Sequence, residues 1–147
     1  EIVKTVSTLG WYLLMKDKSV NLCKFYQPSF EVKTGYSSSK ESIREYESPI
    51  CYLKAIYVNI LHTHITSGTV RLSTENQHPN ADRDNFGTAC VGDLQDREIP
   101  LHDPDKLLLL LNEISFTYER IHLDSCYFTP DDPYKTRKDQ TWTTKAG

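Results

Sequence analysis

A chain of 147 residues is long enough for one domain with a proper core and too short for two ordinary ones. Hydrophobic residues make up 38% and charged residues 25%, which reads as a soluble globular protein, and the formal net charge of −3 leaves no sequence-wide basic surface for nucleic acid. The longest apolar run, Leu107 to Leu111, falls far short of the roughly 20 residues that span a bilayer. With Glu1 rather than methionine first and no positive leader, the chain is expected to be processed, tagged or cut from a longer one.

In chain order, "LGWYLLMKD" (9–17) and "SVNLCKFYQ" (19–27) read as two strands flanking a tight turn at Asp17-Lys18. "SFEVKTGY" (29–36) reads as a third strand, and the Ser-rich stretch 37–48 as a loop or short exposed helix. In "PICYLKAIYVNILHTHI" (49–65), one parity holds Tyr52, Ile56, Val58, Ile60 and His62 against Lys54, and the other holds Leu53, Ala55, Tyr57 and Leu61. Both faces are largely apolar, which predicts a central strand. "SGTVRLSTE" (67–75) follows a turn signal as another strand.

After Cys90 the period changes. Residues 101–124 predict a helix with Asp103 as N-cap and Pro104 in first position. Leu107, Leu110 or Leu111, Ile114, Tyr118 and Ile121 form its apolar stripe. Breakers at Pro130 and Pro133 mark a C-terminal extension. The expected fold is α+β, an antiparallel meander packed on one main C-terminal helix, with one domain over 1–128 and an extension over 129–147.

The chemistry-bearing candidates cluster between strand and helix, in "HPNADRDNFGTACVGD". Gly87 and Gly92 bracket Cys90, so its backbone is free to be irregular and its thiol to reach a partner; the alternative is a small apolar residue tucked under a loop. His78, Pro79 and Asn80 form either an ordinary turn or a device in which His78 shapes the turn and the Asn80 amide stabilises an oxyanion. As a loop residue, Asn80 is expected to contribute little to stability. Asp82, Asp84, Asp93, Asp96 and Glu98 make either a solvated loop or a means of orienting an incoming lysine. His62, His64, His78 and Cys90 are a weak zinc set, since "HTH" puts its two histidines on opposite sides of a strand; no metal or cofactor is expected. None of Cys23, Cys51, Cys90 and Cys126 forms a CxxC pair. Three of them, Cys23, Cys51 and Cys126, sit among apolar or aromatic neighbours, the habit of reduced cysteine, so a reducing, cytoplasmic setting is expected.

A meander, then His78-Pro79-Asn80, then Gly87-Thr88-Ala89-Cys90-Val91-Gly92, then the Leu-rich helix of Leu107 to Leu111 and a tail with a tyrosine, Tyr127 or Tyr134, resembles the ubiquitin-conjugating (E2) enzymes. The likeness is nearest to the divergent bacterial and phage-type members and to RWD-like domains, and it is specific over about 70–128. It implies that Cys90 carries the thioester of a ubiquitin-like modifier and passes it to an amine, that Asn80 supports the tetrahedral intermediate, and that His78 shapes the turn. The implied partners are an activating (E1-like) enzyme, the modifier and a protein substrate, with no nucleic acid and no membrane. Eleven residues separate His78 from Cys90, several more than the family's usual gap. The alternatives are a catalytically inactive protein-binding module of the same fold class and a structural interaction protein with a buried Cys90.

Overall fold

The computed structural model describes residues 10–34, 46–47, 51–76, 78, 80–82, 85–121 and 143–144. Two expectations lie outside them: most of the Ser-rich stretch 37–48, and the tail beyond 121 apart from 143–144, including the boundary at 128, Cys126, Tyr127 and Tyr134.

The chain begins as a hairpin of β1 (Trp11–Lys16) and β2 (Ser19–Glu31). Lys16 pairs with Ser19, so Asp17 and Lys18 make the tight turn, and Asp17 takes a φ of 54°, a conformation that Asp tolerates better than most residues. β2 then runs on where the sequence suggests a break. It stays in one ladder with β5 (Tyr52–Asn59), but the register slips between Phe25 and Phe30, the interval that holds the cis Gln27–Pro28 peptide. Proline lacks a ladder donor, and such an irregularity is where a sheet accommodates it. The expected third strand over 29–36 is thus the end of β2 plus the two-residue β3 (Lys33–Thr34).

β5 is central, between β2 and the antiparallel β6 (Val70–Glu75). Its simple parity fails at one place. Leu53 and Ile56 are both buried although three residues apart, and the register with β6 shifts between Leu53 and Ala55. The extra residue there, Lys54, is exposed, so the slip turns a lysine outward without giving up either apolar neighbour. The sheet closes with β7 (Ala81–Asp82) and β8 (Thr88–Ala89), in the order β1-β2-β5-β6-β8-β7. Two short pairs lie outside it: β4 (Tyr46–Glu47) with β10 (Thr143–Thr144), and β3 in parallel with β9 (Arg120–Ile121).

The helix α1 (Pro104–Tyr118) begins as the sequence predicts: the Asp103 side chain accepts the Lys106 amide at 3.3 Å and Pro104 opens the first turn. Its buried residues are Leu107, Leu110, Leu111, Ile114, Ser115 and Tyr118. All but Ser115 share one core with Trp11, Leu22, Ile56, Val58, Val70 and Leu72 of the sheet. Removing one of these leucine side chains would cost roughly 2–5 kcal/mol. The helix ends at Tyr118, six residues before the expected 124, and the chain turns into β9. The Tyr118 carbonyl, in the last turn of the helix, accepts from the His78 ring. Among the described residues the architecture is therefore α+β, a six-stranded antiparallel sheet with one helix on it. Among the described residues no helix is long and apolar enough to cross a membrane.

Candidate functional site

The separation between His78 and Cys90 is taken up by a small hairpin. Asn80 immediately precedes β7 and Cys90 immediately follows β8. The strands pair antiparallel, Ala81 against Ala89 and Asp82 against Thr88, so the two flanking residues become neighbours on the next rung. That rung is made: the Cys90 amide donates to the Asn80 carbonyl at 2.8 Å. At the other end, Gly87 N–H donates to the Asp82 carbonyl at 2.9 Å and the Thr88 hydroxyl to the Asn85 carbonyl at 2.7 Å.

Gly87 anchors this hairpin to β6. Its carbonyl accepts the Leu72 amide at 2.9 Å, its φ is +77°, and a Cβ there would run into the Leu72 carbonyl oxygen. Only glycine satisfies both the backbone conformation and the close approach.

His78 holds the other side of the turn. Its ring is buried, at 1% exposure, with the Asn80 amide 3.1 Å from Nδ1 and the Tyr118 carbonyl 2.9 Å from Nε2. A backbone N–H only donates and a carbonyl only accepts, which assigns the proton to Nε2 and leaves Nδ1 as acceptor. The His78 carbonyl in turn accepts the Ala81 amide at 3.0 Å, closing the turn. Asn80 is buried as well, at 3% exposure. The expectation that Asn80 is a loop residue of little weight in stability is therefore corrected, because burial makes its polar groups costly to disturb.

The sequence marks Tyr118 only as a member of an apolar stripe, and the structure gives it a second task. Its hydroxyl donates to the Cys90 carbonyl at 2.7 Å, while its own carbonyl receives the His78 Nε2 proton. The rings of His78 and Tyr118 meet edge to face, with centroids 6.4 Å apart. The available signal was chemical: a tyrosine in a buried stripe must find a partner for its hydroxyl, and the facing loop offers carbonyls.

Cys90 is half-buried between β8 and a 3-10 turn over Gly92–Leu94, on irregular backbone as expected, with Gly92 at φ +48°. Its sulfur is disulfide-bonded, whereas the sequence suggests a reduced thiol. Cys23 and Cys51 are free and buried, as their neighbours predict. Burial pushes their thiols up to about 11 and about 12, a nearby Arg71 charge partly offsetting the effect at Cys23.

The remaining candidates are not drawn in. His62 and His64 lie beyond the end of β5 and are exposed; His64 Nδ1 is 2.9 Å from the Thr63 hydroxyl. Among the described residues no three His, Cys, Asp or Glu side chains gather as a metal site. Asp93, Asp96 and Glu98 are exposed, Asp82 is half-buried, and Asp84 lies outside the described residues. A cleft of about 330 Å³ is lined by Arg97, Glu98, Pro100, Lys106, Leu109 and Leu110, and its walls include none of His78, Asn80 and Cys90. Comparison with protein-family models, curated proteins and solved structures finds no match to this chain.

Proposed function

We propose that this chain is a divergent conjugating-enzyme-like carrier, with Cys90 as the residue that holds the thioester and the turn from His78 to Asn80 as its transfer device. The observation that carries the reading is the rung between the Cys90 amide and the Asn80 carbonyl, at 2.8 Å. It puts the turn beside the sulfur-bearing residue despite the long separation in sequence. In charging, the Cys90 thiolate attacks the thioester carbonyl of a ubiquitin-like C-terminus held by an activating enzyme; the new S–C bond forms as the old one breaks and the activating enzyme's thiolate leaves. In discharge, an amine attacks that carbonyl, Asn80 donates to the developing oxyanion, and collapse expels the Cys90 thiolate as the amine loses a proton. Because Cys90 is oxidised, charging follows reduction: a dithiol gives up two electrons, becomes a disulfide and frees two thiols.

A second reading is favoured by the burial of Asn80 and the oxidation of Cys90. In it, the turn is a structural clasp in a catalytically inactive binding module. A lysine chase of the reduced, charged protein separates the two. The carrier reading expects Asn80→Ala to charge and then discharge slower by about a hundredfold or more, the cost of one oxyanion donor. The binding-module reading expects no charging and only a lower melting temperature.

A further inference from the structure

Tyr118 bonds to both halves of the site, through main chain to one and through side chain to the other. Its carbonyl fixes the His78 ring and its hydroxyl fixes the Cys90 carbonyl, while its side chain is fully buried in the core. With the His78–Asn80 and Asn80–Cys90 contacts, these bonds close a ring of four residues. The two bonds differ in kind. The bond to His78 uses main chain at the last turn of α1 and survives any substitution that keeps the helix. The bond to Cys90 uses one phenolic hydroxyl and is removed by deleting a single oxygen.

We propose that the Tyr118 hydroxyl is a positioning group for transfer from Cys90, a claim that rests on the carrier reading above. A thioester on Cys90 hangs from a main chain whose carbonyl this hydroxyl holds. Charging requires only a thiol that an incoming thioester can reach. Discharge requires the thioester carbonyl to stay aligned with the Asn80 amide, and misplacement by about 1 Å can cost on the order of a hundredfold in rate. Tyr118 thus acts through Cys90 and touches no reacting atom itself.

The test is Tyr118→Phe in the full, reduced chain, with Leu110→Ala as a control that weakens the same helix without touching Cys90. Amide hydrogen exchange is read first because it does not depend on any modifier. The Cys90 amide is expected to exchange at least about tenfold faster in Tyr118→Phe than in Leu110→Ala, compared at equal global stability. With a charging system, Tyr118→Phe is expected to charge within about threefold of wild type and to discharge to lysine roughly tenfold or more slower. Unchanged exchange at Cys90 overturns the proposal even if the wild type charges. Equal slowing of discharge in Leu110→Ala also overturns it, since stability rather than position would then be limiting. A wild type that never charges, with fast Cys90 exchange in Tyr118→Phe, removes the carrier reading and the transfer role with it, leaving Tyr118 as a structural clamp on the loop.

Discussion

The Nε2 atom of His78 lies 2.9 Å from the carbonyl oxygen of Tyr118, so a turn residue terminates the helix that packs against it. The carbonyls of a last helical turn have no partner within the helix, and a buried one must find a donor elsewhere. His78 supplies it and at the same time accepts the Asn80 amide. Replacing His78 with Ala removes a buried hydrogen-bond partner from both groups. The expected loss is roughly 2–5 kcal/mol, from the two lost buried hydrogen bonds and a small cavity. His78→Gln, which keeps one donor and one acceptor, should recover part of it. Urea denaturation checks both; an unchanged midpoint in His78→Ala would mean that the turn is not coupled to α1.

Gly87→Ala tests how the hairpin is fixed to the sheet. The added methyl meets the Leu72 carbonyl, and alanine is strained at a φ of +77°. The expected destabilisation is roughly 2 kcal/mol or more. Chemical denaturation with an unchanged slope would give that value directly. Stability equal to wild type would show that the β6–β8 approach is not as close as described.

The legible parts of this fold were those written in local chemistry. Asp103 and Pro104 announce the helix start, the leucines its buried face, and Asp17-Lys18 the first turn. The bulge at Lys54 was hidden because one extra residue reverses parity without changing composition. The helix end was hidden for a different reason: its terminating partner, His78, is forty residues away. At the site, the bracketing glycines and the turn were readable. That the gap is a hairpin, that Asn80 is buried and that Tyr118 joins both halves all depend on contacts between distant segments.

Titration of the buried acids sets the alkaline limit. Cys23, Cys51 and Tyr26 all have ionisation pushed up by burial, Tyr26 also by its hydrogen bond to Glu119 at 2.7 Å. A group with a raised folded pKa gives its full stability below its unfolded value, here about 9 for the thiols and about 10 for the phenol. Above those values the unfolded chain releases protons that the folded chain keeps, so stability falls as pH rises. Urea midpoints should hold near neutral pH and drop from about pH 9 upward. The drop should be shallower in Cys51→Ala. A midpoint that rises between pH 9 and 11 would contradict the assignment.

The same burial separates the thiols in reactivity. At pH 8 the folded protein should alkylate slowly at Cys23 and Cys51, since little thiolate is present and neither side chain meets solvent. After mild reduction, half-buried Cys90 should label ahead of both. Peptide mapping of the labelled sites reads the order. Early labelling of Cys23 or Cys51 with Cys90 silent would remove the case for a reachable nucleophile.

We propose that Cys90 carries an acyl group, and the intact mass of the reduced chain reads that group out. The chain is incubated with ATP, a ubiquitin-like modifier and an activating enzyme that demonstrably charges itself. A single modifier adduct that excess thiol removes is expected on the wild type. None is expected on Cys90→Ala, and a thiol-resistant oxyester is expected on Cys90→Ser. No adduct on the wild type, or an adduct that persists in Cys90→Ala, rules out Cys90 as the carrier.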